Sequence, residues 1–212
     1  MKILVTGGAG YIGSIATAML IDAGYQVNVL DDLSTGHADA VSEEATFIEC
    51  SLLNQEDLDR ALLGCDAVMH FAAKSLVGES VEKPELYREV NVGGSSALIS
   101  AMKSHNINKL GFSSTAATYG EPKRVPISES DAPAPKNPYG QTKLEIDQMI
   151  AGSGFSSISL RYFNVAGAYQ RNGKWLSERH NPETHLIPNI LRADRKSTRL
   201  NSSHGYISYA VF

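Results

Sequence analysis

Short apolar runs alternate along this chain with segments whose apolar residues recur at helical spacing, and glycines or small polar residues close most of them. Ile3, Leu4 and Val5 form the first run and stop at Gly7-Gly8, as a strand buried on both faces should. Beyond Gly10, residues Ile12, Ile15, Ala16, Met19, Leu20 and Ala23 fall on one stripe of a helix that Gly24 ends. Val27 to Leu30 reads as a second strand running into Asp31-Asp32, and residues 34–42 read as loop. Phe47-Ile48 predicts a third strand, and Asn54 is placed to cap a helix that Gly64 stops. Ala67 to Met69 predicts a fourth strand. Pro84 opens one long helix carrying Leu86, Val90, Ala97, Leu98, Ala101 and Met102. Leu110 to Phe112 predicts a fifth strand, ending at Ser113-Ser114-Thr115. Pro122 to Pro138 is too rich in proline for regular structure and predicts an ordered loop over a site. Tyr139 starts a further helix and Ile158 to Leu160 a further strand. The alternation predicts an α/β fold, a doubly wound parallel sheet with helices on both faces.

Composition narrows the classes. The 212 residues suffice for one core with a small appendage. A formal charge of -4 gives no electrostatic reason to expect nucleic acid or an anionic membrane as partner. No apolar run approaches membrane-spanning length, and Met1-Lys2 leads into Ile3 without a leader segment. Cys50 and Cys65 are too isolated for a disulfide framework and read as reduced, packed residues of a cytoplasmic protein. From Ala193 to Phe212 the character changes. Arg192, Arg195, Lys196 and Arg199 crowd together, with no periodicity until Tyr206-Ile207-Ser208-Tyr209. The expected division is a folded unit over residues 1–191 and a disordered tail over 192–212, foreign to the rest.

Two motifs carry the chemistry. Gly7-x-x-Gly10-x-x-Gly13 lies between a predicted strand and a predicted helix, where free N–H groups and the helix dipole favour a dinucleotide pyrophosphate. Asp31 ends the second strand at the distance where an acid meets the adenosine ribose hydroxyls. Its charge would repel a 2′-phosphate, and no Lys or Arg occurs between Lys2 and Arg60 to welcome one, which favours NAD over NADP. The second motif is Tyr139-x-x-x-Lys143, a phenol and an ammonium on one helix face. At ~4 Å and an effective dielectric of about 20, the ammonium is worth about 4 kcal/mol to the phenolate, roughly 3 pKa units before desolvation opposes it. Thr115 ends the fifth strand, where its hydroxyl can bond the same substrate oxygen. His180 and His185 flank Asn181-Pro182-Glu183-Thr184. Their irregular spacing around a proline reads as an ordered polar loop, with no metal site expected. Trp175 reads as a packing residue.

As a set, Thr6 to Gly13, Asp31-Asp32, His70-Phe71-Ala72-Ala73, Ser113 to Gly120, Pro138 to Lys143 and Arg161-Tyr162-Phe163-Asn164 resemble the extended short-chain dehydrogenases. Within that family, Val77 to Val81 and Asn181 to Pro188 look most like the bacterial UDP-glucose 4-epimerases, a likeness reaching residue 191 or so. The resemblance implies a Rossmann-type fold with tightly held NAD and a UDP-sugar substrate, and a homodimer paired through helices near residues 84–103 and 139–151. Tyr139 would take the proton from the sugar 4-hydroxyl, assisted by Thr115, with Lys143 on the nicotinamide ribose. Cofactor contacts carried over are Gly7, Gly10, Tyr11, Ile12, Gly13, Asp31, Asp32, Leu33, Ser34, Ser51, Leu52, Phe71, Ala72, Ala73, Asn91, Ser113 and Phe163, besides Tyr139 and Lys143. Lys74, Asn164 and Leu186 join Thr115 and Tyr139 as substrate contacts. Ser51 stands where the family usually has Asp, and Ser75 where several relatives carry Lys. Members run on for more than a hundred further residues, so the smaller substrate domain is expected to be largely missing here. The alternatives are another nucleotide-sugar epimerase or dehydratase, or an NAD-binding module without turnover. Dehydratases usually place Asp-Glu after the catalytic hydroxyl residue, where this chain has Ala116-Ala117.

Overall fold

The computed structural model describes residues 1–180, 183 and 185–196. Six parallel strands form the main sheet in the order β3-β2-β1-β4-β5-β6: β1 Lys2–Thr6, β2 Gln26–Asp31, β3 Thr46–Glu49, β4 Ala67–His70, β5 Lys109–Thr115 and β6 Ser156–Tyr162. The winding reverses between β1 and β4. In such sheets the crevice beyond the carboxyl ends of these strands is where ligands bind.

Alternation along β1 builds both layers at once. Leu4 points into the larger core, with Leu58 and Leu62 of α2 (Gln55–Leu62), Leu98 and Met102 of α5 (Gly94–Ser104), and Ile146 of α6 (Pro138–Ala151). Ile3 and Val5 point the other way, to Val27 and Val29 and the half-buried Leu20 and Ile21 of α1 (Tyr11–Asp22). Asn54 caps α2 as expected, accepting from Asp57 N at 3.3 Å. Asn137 does the same for α6, accepting from Gly140 N at 2.8 Å, while Pro138 takes the first turn, where no N–H is needed.

The structure departs from the sequence expectations in three places and adds one hairpin they did not include. The buried face of α1 is Gly13, Ser14, Thr17 and Ala18, and Met19 of the expected stripe is 54% exposed. The turn into α1 brings the helix so close to β1 that only small side chains fit between them. The single helix from Pro84 is broken into α4 (Pro84–Tyr87), a wide π-helical stretch (Arg88–Gly93) and α5, preceded by a short α3 (Val77–Glu82). Buried Asn91 lies on that stretch. Beyond β6 an antiparallel hairpin forms, β7 (Ala168–Arg171) with β8 (Lys174–Ser177). Finally, α7 runs Leu186–Lys196, so helix continues past the boundary drawn at residue 191. Leu186, Ile187, Ile190 and Leu191 have helical spacing, and Pro188 falls within the first turn, where proline is tolerated. The expected tail beyond residue 196 lies outside the described residues.

Candidate functional site

A cleft of about 790 Å³ opens along the carboxyl ends of β1, β2, β4 and β5, a size that suits an extended ligand. One end is the glycine turn. Gly7 adopts φ +71°, and a Cβ there would meet the Ala72 backbone N at 2.5 Å. A Cβ on Gly13 would collide with the carbonyl oxygen of Gly7. Gly10 precedes α1 with no side chain capping it, leaving the first-turn N–H groups of Tyr11, Ile12 and Gly13 aimed into the cleft mouth. This cradle fits a pyrophosphate, an anion on a helix start of full length.

Asp31 is 7% exposed. Its Oδ2 accepts from Ala9 N at 3.0 Å and its Oδ1 from Leu33 N at 2.9 Å, so the carboxylate staples the glycine turn to the end of β2. Burial raises its pKa, with those two N–H groups opposing. Asp31, Asp32 and Ser34 line the cleft, as do Ser51 and Leu52 after β3. Leu33 does not: at φ +56° it donates its N–H to Asp31 and stands outside the wall. Phe71, Ala72, Ala73 and Lys74 form the wall after β4. Asn91 stands behind that wall. Its Oδ1 accepts from Lys74 N at 2.8 Å and its Nδ2 donates to Lys74 O at 3.0 Å, so it holds the segment without lining the cleft.

Thr115, Tyr139 and Lys143 meet at the other end, with Ser113 beside them. Lys143 is 2% exposed, donates from Nζ to Ser113 O at 2.8 Å and lies 4.8 Å from the Phe112 ring centroid. Burial pulls its pKa down to about 8, with Asp147 opposing. The ammonium is 6.0 Å from the Tyr139 ring centroid. Burial raises the pKa of Tyr139, and only hydrogen bonding with Thr115 opposes it. Beneath the pair, His70 is 2% exposed and bonded by Thr6 Oγ1 at 2.7 Å and Ser95 Oγ at 2.9 Å. Burial and the Lys143 charge hold its pKa down at about 3.

Phe163, Asn164 and Leu186 close the outer wall, where sequence reasoning missed Glu178, His180 and His185. His180 Nδ1 lies 3.1 Å from Glu178 Oε1, and His185 Nδ1 lies 2.8 Å from the same oxygen and 3.0 Å from Glu183 Oε1. The described members, Glu178, His180, Glu183 and His185, bring their ligand-type atoms within 4.8 Å of one another, and Glu178, His180 and His185 line the cleft. The two carboxylates flanking the histidines were the available signal.

A family model described as "NAD dependent epimerase/dehydratase family" matches residues 3–200. The chain belongs to that family. The match passes residue 191, where the motif-based likeness ended. Among curated relatives, the UDP-glucose 4-epimerase of Corynebacterium glutamicum is 50% identical over 196 residues, covering 91% of this chain and 58% of the relative. That of Streptomyces lividans is 46% identical over 211 residues, covering 96% of this chain and 63% of the relative. A crystal structure of UDP-glucose 4-epimerase from Brucella ovis in complex with NAD superimposes with a TM-score of 0.86 at 44% identity, covering 92% of this chain and 61% of that one. The epimerase/dehydratase chain thus spans about three-fifths of the proteins it matches. None of its described helices is long and apolar enough to cross a membrane.

Proposed function

We propose that this chain carries the cofactor-binding and proton-transfer machinery of a UDP-glucose 4-epimerase, interconverting UDP-galactose and UDP-glucose through transient oxidation at sugar C4. The observation that carries this is the meeting of Thr115, Tyr139 and Lys143 at one end of a cleft whose other end is the glycine cradle. The residues fit NAD: the cradle takes the pyrophosphate, Asp31 and Asp32 flank the ribose position, and Lys143 stands ready at the second ribose. NAD, when bound, would supply the hydride acceptor and a positive charge. That charge offsets the desolvation that raises the Tyr139 pKa in the cofactor-free arrangement. Tyr139 removes the proton from the 4-hydroxyl as C4 is oxidised, Thr115 holds the same oxygen, and Tyr139 returns the proton when C4 is reduced from its other face. Lys74, Asn164 and Leu186, which line the cleft, would hold the UDP-sugar.

The test is incubation with UDP-galactose and NAD, with UDP-glucose expected as product. A 4-keto-6-deoxy sugar would instead mark a dehydratase. Bound NAD with no conversion would mark a binding module. A second reading keeps the same chemistry on N-acetylated sugars. It is favoured by the structural match to the UDP-Glc/GlcNAc 4-epimerase from Campylobacter jejuni, with a TM-score of 0.79 at 35% identity. We also propose a homodimer through the α4–α5 and α6 helices, beside which Val77 and Val81 of α3 are 46% and 62% exposed. Sedimentation tests it. A cytoplasmic setting agrees with Cys50 and Cys65 being free and buried.

A further inference from the structure

Lys143 is a buried cation whose direct partners, the Ser113 carbonyl and the Phe112 ring, carry no charge. An ammonium taken out of water into such a pocket requires a counter-charge or it sheds its proton. One turn further along the same face of α6 lies Asp147, 9% exposed. Its Oδ2 accepts from Ser114 Oγ at 3.0 Å and from Arg161 Nε at 3.3 Å, and its buried Oδ1 has no hydrogen-bond partner among the described residues. Lys143 and Asp147 are thus docked on adjacent residues of β5, Ser113 and Ser114, directly below the Thr115 that faces Tyr139.

The other charged and titratable groups around this pocket do not supply the missing negative charge. From β4 comes His70, held neutral by burial. From β6 comes Arg161, a cation, whose Nη1 donates to Tyr119 Oη at 2.6 Å. Tyr139 lies on α6 itself. Glu145 of α6 is turned to Arg88 of the π-helical stretch, at 2.8 Å, and Glu79 of α3 is engaged by Tyr87, Lys83 and Lys74. The negative charge left on this face is that of Asp147, which shares its Oδ2 with Arg161 while its Oδ1 stays free among the described residues.

We propose that Asp147 is a positioning residue for the Tyr139–Lys143 pair, the buried counter-charge that keeps Lys143 protonated and seated against β5. The proposal rests on the reading of that pair as the reactive groups, but its test does not. In the full chain labelled with ¹³Cε-lysine, NMR titration follows the Lys143 signal, identified by its loss in Lys143→Arg. The midpoint in Asp147→Asn is expected at least one pH unit below that of the unaltered chain, a tenfold loss of proton affinity. Asp147→Glu is expected to recover most of it. A midpoint moved by less than a third of a unit in folded Asp147→Asn would overturn the proposal, whatever that variant does to thermal stability. Should Asp147→Asn not fold, the Asp147 carboxyl ¹³C signal of the unaltered chain decides. It is expected to change shift in step with the Lys143 ¹³Cε titration, and a carboxyl signal indifferent to that titration sinks the idea. Sugar turnover enters none of these readouts, so a failed epimerase assay and a failed titration point to different errors.

Discussion

The inner and outer walls of the cleft are held in opposite ways. The inner wall, α6 on β5, is fixed by burial: Ile146 and Ile150 are 1% and 2% exposed, and Lys143 reaches through the interface to a backbone carbonyl. The outer wall, residues 163–180 with the β7–β8 hairpin, leans on the first half of the sheet through surface charges. Arg171 pairs with Asp22 at 2.7 Å and Glu44 at 2.9 Å, Lys174 with Glu43 at 3.6 Å, and Arg179 with Asp39 at 2.8 Å. Phe163 and Trp175 remain 57% and 63% exposed on that side. The proposed proton-transfer groups sit on the wall fixed by burial, and most of the proposed sugar-nucleotide contacts sit on the wall tied down by ion pairs.

The sharpest way to break that contrast is at the inner wall. Tyr139→Phe is expected to lower turnover by roughly 10²–10⁴-fold, the usual worth of a positioned acid–base group, while NAD affinity changes little. Coupled assay of UDP-glucose and cofactor fluorescence measure the two, and an unchanged rate removes Tyr139 from the mechanism. Ile146→Ala should cost about 2–5 kcal/mol of stability by leaving a cavity under α6, read by denaturant unfolding.

Acid probes the floor of the same wall. The folded-state pKa of His70, about 3, lies below its unfolded value of about 6.5. The unfolded chain therefore binds more protons between those pH values, and the stabilising contribution is fully present above pH 6.5 and lost as pH falls towards 3. By pH 5 the loss from this residue reaches up to about 2 kcal/mol. His70→Gln should flatten that slope in a series of melts, and an equal slope in both proteins would assign it elsewhere.

The smallest effect belongs to the outer wall. Arg179→Ala, at an exposed bidentate pair with Asp39, should cost about 1 kcal/mol or less, and the difference should shrink in 0.5 M salt. A salt-independent loss of several kcal/mol would show that this wall is anchored as the inner one is.

The same division governs what could be read from residues alone. Strands β1 to β6 were legible because a parallel sheet buries both strand faces, so Ile3-Leu4-Val5 or Val27 to Leu30 stand out as unbroken runs. The glycine turn and Tyr139-x-x-x-Lys143 were legible because local geometry restricts them to few residue types. The hairpin was not, since Ala168 to Ser177 alternates too little and is ordered by partners far away in sequence, such as Asp22 and Glu44. The face of α1 was misread because helix–strand closeness there overrides hydrophobicity. The role of Asn91 was hidden because its contacts are to a backbone segment seventeen residues away. Spacing gave Tyr139 and Lys143 a shared helix face, but not the Ser113 carbonyl of β5 to which the ammonium donates.

Strand β6 forms one rim of the six-stranded sheet, and no described strand pairs with its far side. Ile158 on that rim is 59% exposed, and Ser156 and Ser157 beside it offer no charge to discourage company. Among the described residues this rim carries an oily side chain and no pairing strand, an arrangement that suits an extended polypeptide lying alongside. At high concentration the chain will therefore self-associate through this rim, and light scattering should rise less steeply once Ile158 is replaced by lysine.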